Sequence, residues 1–193
     1  MPDSPHTLPI RSPHPLALAL IERLRTQSNA AILEIGTGSG RNATALAQAG
    51  FNVYATRDYH ELPSNDARFR AALSTHALLH GTAGQIAGGL HAIAERLHSR
   101  APLFATFGST NDARFGAGTR IDTYTFSSTE GDERGVAHTF FDERRLRSLL
   151  ENDYEIESIQ EHCVDDIVGV WAHAKQPLRK TTHWFIVASK QAT

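Results

Sequence analysis

The sequence contains a single cysteine, Cys163, and so cannot form an internal disulfide or a cysteine-built zinc site. One thiol suits a reducing compartment, and the cytoplasm is expected. No apolar run is long enough to span a bilayer. The stretch from Leu16 to Ile21 falls well short of the roughly 20 residues required, and prolines and histidines precede it rather than a basic signal region. Neither a membrane anchor nor export is expected. Charge of one sign is also lacking: 19 Lys and Arg stand against 21 Asp and Glu, a formal net charge of -2. No global field draws the chain to nucleic acid or to an anionic surface, so neither is an expected partner. No internal repeat is visible. A length of 193 residues supports one core rather than two.

What is present is punctuation and alternation. Residues 1 to 13 hold Pro2, Pro5, Pro9 and Pro13 and read as an arm, leaving residues 14 to 193 as a single domain. Pro15 to Thr26 carries Leu16, Leu20, Ile21 and Leu24 at helical spacing. A strand follows at Ala30 to Ile35, a helix at Asn42 to Ala49 closed by Gly50, and a strand at Asn52 to Thr56. Further strands are expected at Ala71 to Thr75 and Leu103 to Phe107, with a helix at Thr82 to Arg100 weakened by Gly88 and Gly89. Gly108 to Ala137 is rich in Gly, Thr, Ser and Asp without periodicity and reads as an insertion over one face. Asp142 is a plausible N-cap for a helix to Glu151. Strands at Tyr154 to Glu161 and His183 to Ser189 close the chain, joined by a polar connection with Trp171 and His173. Alternating strands and helices imply an α/β sandwich around a mainly parallel sheet.

The sharpest feature is Ile32-Leu-Glu-Ile-Gly-Thr-Gly-Ser-Gly-Arg-Asn42, an apolar strand that runs through Gly36, Gly38 and Gly40 into a helix start. Such a loop turns tightly, admits close approach of a ligand and aims helix N–H groups at it. A nicotinamide dinucleotide fingerprint would place its third glycine at Arg41, which is too large there, although Arg57 would suit a 2′-phosphate.

Four segments in order, Glu34 to Asn42, Leu73-Ser-Thr-His-Ala-Leu-Leu-His80, Phe140-Phe-Asp-Glu-Arg-Arg-Leu146 and His183-Trp-Phe-Ile-Val-Ala188, resemble class I S-adenosylmethionine-dependent methyltransferases. The resemblance implies a Rossmann-like methyltransferase sandwich whose last strand inserts antiparallel, and methyl transfer from S-adenosylmethionine to an acceptor, here a small molecule. It also implies a helix and a strand between Thr56 and Arg57 that this chain is too short to contain. Asn52 to Thr56 resembles the family's second strand, whereas Asp58-Tyr-His-Glu-Leu-Pro63 resembles the segment after its third strand. The acid that would hold the ribose hydroxyls is replaced in register by Arg57, and Asp58 matches the acid that faces the adenine amino group.

Cofactor contacts are therefore expected at Glu34, Gly36, Thr37, Gly38, Gly40, Asn42, Asp58, Ser74, Thr75 and His76. Asn42 either contacts the ligand or caps its helix. His138, beside the insertion, is the candidate catalytic residue, acting as a base or orienting a substrate, or else it locks the insertion to the domain. His76 and His80 have the i, i+4 spacing of a metal pair but no acidic third ligand in the motif, so no metal is expected. Arg114, Arg120 and Asp122 would grip a polar acceptor or remain solvated. Trp184 reads as core. Two other readings stand beside the methyltransferase: a degenerate protein that binds the cofactor without turnover, and an NAD(P)-dependent oxidoreductase. Composition leaves the acceptor and the oligomeric state open.

Overall fold

A computed structural model of the chain describes residues 12–131, 133–164 and 180–192. Most of the proline-rich arm, with Trp171 and His173, lies outside the described residues. The elements are α1 (Pro15–Arg23), β1 (Ala31–Ile35), α2 (Arg41–Gln48), β2 (Asn52–Thr56), β3 (Ala71–Ser74), α3 (Ala83–Arg96), β4 (Pro102–Ser109), β5 (Thr119–Arg120), β6 (Thr125–Ser127), β7 (Ala137–Phe141), α4 (Glu143–Leu150), β8 (Tyr154–Cys163) and β9 (Thr182–Lys190).

The central sheet runs β2-β1-β3-β4 in parallel, and β9 then inserts between β4 and β8, antiparallel to both. This is the α/β architecture with an antiparallel last strand that the sequence implies. Ile32 faces a cluster built with Leu16 and Leu20 of α1 and Leu46 of α2. Leu33 and Ile35 face the other cluster, with Ile86 and Ile93 of α3 and Leu146 of α4. Two-residue alternation along β1 therefore puts Glu34 on the side of α1 and α2. No helix among the described residues is long and apolar enough to cross a membrane.

β2 pairs only with β1, so the sheet ends there, and residues 57–70 cross to β3 with no helix and no strand of their own. Residues 57–70 thus contain neither the helix nor the strand that the resemblance implies. The Thr56 hydroxyl donates to the Asp58 carbonyl at 3.1 Å, which turns the chain sharply off the strand.

Helix ends follow local chemistry. The Thr82 hydroxyl accepts from Gln85 N–H while the Gln85 side chain accepts from Thr82 N–H, a capping box that starts α3. The helix stops at Arg96, short of the expected Arg100, because the chain pairs with Phe69 instead: Phe69 N–H donates to Arg96 O at 2.8 Å and His98 N–H to Phe69 O at 3.0 Å. Asp142 caps α4 as expected, accepting from Arg145 N–H at 2.8 Å. Gly50, with φ of +90°, closes α2.

The Gly108 to Ala137 region departs most from expectation. β4 continues to Ser109, past its last pairing with β3 at Ala105, and its Gly108 and Ser109 pair with Phe140 and Phe141 of β7. β6 pairs with β7 and β5 with β6, so the region is a small antiparallel extension. Strands of two and three residues are too short to show periodicity in sequence.

Gly88 and Gly89 differ in what surrounds them. A Cβ on Gly89 would lie 2.6 Å from the Tyr59 ring, whereas one on Gly88 meets nothing within 4 Å. Gly89→Ala is expected to destabilise the fold by about 1–3 kcal/mol through overpacking, and Gly88→Ala to stabilise it by roughly 0.5–1 kcal/mol through helix propensity. Urea unfolding of the two variants checks the opposite signs.

Candidate functional site

The loop between β1 and α2 adopts left-handed backbone at Gly36 (φ +83°), Gly38 (φ +51°) and Gly40 (φ +76°). Their roles differ. A Cβ on Gly36 would sit 2.6 Å from the Ala77 Cβ, so contact with the loop after β3 requires glycine here. Around Gly38 the nearest atom is 3.9 Å away, and around Gly40 nothing lies within 4 Å. The backbone here is open to a ligand. Gly36 and Thr37 N–H both donate to Thr56 O, at 3.0 and 3.1 Å, which fixes the loop to the end of β2. The first helical bond of α2 is Thr44 N–H to Gly40 O, so the N–H groups of residues 41–43 precede the ladder and face the same opening.

Glu34 lies directly beneath this loop and is 1% exposed. Neither carboxylate oxygen has a hydrogen-bond partner. Burial raises its pKa, opposed by the nearby Thr37 and Asn42 side chains and the Arg41 charge. Glu34 is thus no solvated strand-end charge, since two-residue alternation drives it under α2. Asn42 does not cap α2. Gly40 holds the N-cap position, without a side-chain bond, while the Asn42 carbonyl accepts from His14 N–H at 2.8 Å and its amide donates to the Thr75 hydroxyl at 3.0 Å. Asn42 thus ties the start of α1 and the end of β3 to the glycine loop. Ser74, fully buried, has a hydroxyl with no partner.

At the carboxyl edge of the sheet the backbone is strained at His76, whose φ is +68° and whose N–H donates to the Thr106 hydroxyl at 2.8 Å. The His76 ring lies between His14, at 5.6 Å, and His183, at 5.1 Å. His14 Nδ1 accepts from Leu16 N–H at 3.1 Å, and burial lowers its pKa to about 2, helped by His76 and Arg41. Burial likewise holds His183 well below the ordinary histidine range. Arg114 is fixed by two bonds to Asp112, at 2.9 and 3.0 Å, and stands 3.0 Å from His183 Nε2.

His76 and His80 do not share a helix face, because residues 75–80 form a turn after β3. His80 instead meets His138, the ring centroids 4.8 Å apart, and both imidazoles abut Glu133. The His138 and His80 rings draw the Glu133 carboxyl well below the usual range. His138 lies in β7 and is not a loop residue.

Other expectations divide. Asp58 is half-buried just past β2 and accepts from His60 N–H at 2.7 Å, whereas Arg57 is exposed. Arg41 is buried, its guanidinium donating to Ser12 O at 3.2 Å, which fills the place a dinucleotide fold keeps for glycine. Arg120 and Asp122 bond within their own turn and grip nothing else. Trp184 is core, with its indole N–H donating to Phe141 O at 2.8 Å. Sequence reasoning missed His14, Asp112 and Glu133. Only His14 left a local signal, a possible N-cap ahead of Pro15.

Glu34→Gln removes the buried charge while keeping the shape. A carboxyl whose folded pKa is raised contributes stability below its unfolded pKa of about 4.3 and loses it as pH rises through the raised value. Ligand-free Glu34→Gln is therefore expected to melt above the parent at pH 7 and to lose that advantage at pH 4, as read by calorimetric scans.

No family model and no curated protein matches the sequence. Solved structures do match its shape. An S-adenosylmethionine-dependent methyltransferase from Methanosarcina mazei superposes with a TM-score of 0.69 at 17% identity, covering 90% of this chain and 98% of that one. The Burkholderia thailandensis 1,6-didemethyltoxoflavin-N1-methyltransferase, solved with 1,6-didemethyltoxoflavin and S-adenosylhomocysteine, gives 0.63 at 17% identity over 92% of this chain and 77% of that one. A cyclase gives 0.59 at 16% identity, over 92% and 81%. The chain has the Rossmann-like fold of class I S-adenosylmethionine-dependent methyltransferases.

Proposed function

We propose that this chain binds S-adenosylmethionine in the glycine loop and transfers its methyl group to a small-molecule acceptor. The observation that carries this reading is the opening at Gly38 and Gly40 above a buried, partnerless Glu34 carboxylate. An amino-acid ammonium is the kind of group that would satisfy that carboxylate. When bound, the cofactor supplies a methyl already activated on a sulfonium. The main chain of Gly36, Thr37, Gly38 and Gly40 cradles the amino-acid and ribose portions. Asn42, Ser74, Thr75 and His76 form the rim, and Asp58 faces the adenine amino group. His138 orients the acceptor at the carboxyl edge of β3 and β4. The protein's contribution is chiefly alignment, with water kept from the reacting atoms.

A second reading is non-catalytic cofactor binding, favoured by the exposed Arg57 at the position expected of a ribose-holding acid. Calorimetry with S-adenosylhomocysteine is expected to show one site per chain, and NADPH none. In Glu34→Gln, loss of a charge-assisted bond of about 1.5–3 kcal/mol is expected to weaken that binding by roughly 10–100-fold. Labelled-methyl transfer across an acceptor panel separates the two readings. Heat from NADPH without heat from S-adenosylhomocysteine would overturn both.

A further inference from the structure

Away from the glycine loop, three donors from three segments meet: His80 after β3, Glu133 ahead of β7, and His138 within β7. Their ligand atoms all lie within 4.8 Å of one another. The backbone holds the two histidines in place. His80 and His138 form an antiparallel bridge, Gly81 N–H donates to Ala137 O at 2.7 Å, and Thr139 N–H donates to Leu79 O at 2.9 Å. Gly108 admits β7 closely, since a Cβ there would stand 3.0 Å from Thr139 O.

The proton on His138 is assigned by its neighbour. Nδ1 lies 3.1 Å from the Val136 carbonyl, which only accepts, so Nδ1 donates there and Nε2 is the ring nitrogen left to face Glu133. That Nε2 is buried with no hydrogen-bond partner, 3.2 Å from Glu133 Oε2. His80 Nε2 is likewise buried without a partner, 3.5 Å from Glu133 Oε1. Two ring nitrogens turned onto the two oxygens of one carboxylate call for positive charge among them, which protons on the rings or a bound cation can supply. Metal–ligand bonds of about 2.0–2.2 Å in tetrahedral geometry set neighbouring donors roughly 3.3 Å apart, close to both separations. The Val136 carbonyl on the far ring nitrogen is the outer partner that ligating imidazoles usually have. Arg114 is held by Asp112 and approaches Glu133 Oε2 only to 3.9 Å.

We propose that His80, Glu133 and His138 form a binding site for a divalent transition metal of the zinc class, with a coordination position left for a ligand. The donor set, two imidazoles and one carboxylate, is of the kind that leaves a position open. The extension formed by β5, β6 and β7 brings this site over the carboxyl ends of β3 and β4, where a metal would hold an oxygen or sulfur donor of a small molecule. The site stands on the geometry of β7 and does not depend on the methyl-transfer reading.

The test is cobalt(II) titration of chelator-treated full-length protein, read by visible d–d absorption, with zinc calorimetry in parallel. One saturable site per chain is expected. His80→Gln and Glu133→Gln, both at half-buried positions, are expected to weaken it by at least about tenfold, the lower end of what even an outer partner contributes. His91→Gln, on the exposed face of α3, leaves it unchanged, and zinc raises the melting temperature of the parent but not of the first two variants. Absence of saturable binding, or binding that His80→Gln and Glu133→Gln leave intact, overturns the proposal. Calorimetry with S-adenosylhomocysteine on the same samples reports separately on the glycine loop.

Discussion

The contact between Gly36 and Ala77 is the constraint on which the rest of the site depends. A methyl group at residue 36 would have to occupy the space of the Ala77 Cβ, and the left-handed backbone there strains any side chain in any case. With glycine, the loop after β1 and the loop after β3 close onto each other. Asn42 then reaches Thr75, Thr75 leads into the strained backbone of His76, and the Ala77 to His80 turn delivers His80 to β7. The glycine loop and the histidine edge are thus two sides of one packed seam.

Charge is arranged asymmetrically along this seam. Glu34 lies on the α1 and α2 side, buried without a partner, and its ionised form is costly until something cationic meets it. Farther along the seam His14, at the start of α1, and His183 are held neutral by burial, while Glu133 stays ionised among His80, His138 and Arg114. A cationic demand under the glycine loop and a dense set of imidazole nitrogens at the sheet edge suit different chemistries.

The alternation of strands and helices, and with it the mainly parallel sheet, was legible because these elements leave runs long enough to read, whereas the antiparallel last strand came from the resemblance alone. Asp142 announced its helix through capping chemistry, and Gly50 marked where α2 ends. The absent unit after β2 was legible as a shortage of residues. The extension of β5 and β6 was not, since strands so short derive their stability from pairing with β7 and not from periodicity. Asn42 illustrates a different failure: its side chain has the right chemistry for a cap, but left-handed Gly40 takes the cap position and frees Asn42 for cross-ties to His14 and Thr75. Glu133 could not be joined to His80 and His138 from sequence, because nothing local records that a turn before β7 folds back over the end of β3.

Losing the helix-strand unit has a physical consequence at the nucleoside end of the site. β2 becomes the edge of the sheet, and an unpaired edge invites association unless it is short or charged. Here the strand is five residues long, Tyr54 lies against Phe69 with ring centroids 5.2 Å apart, and the chain leaves at once through exposed Arg57. The same turn leaves Asp58 half-buried just past the strand end, accepting from His60 N–H. An edge protected in this way keeps the Asp58 carboxylate close to the end of β2, where the glycine loop is bonded. A cyclase shares this fold, so the fold by itself does not decide the chemistry of the chain, which must rest on particular side chains.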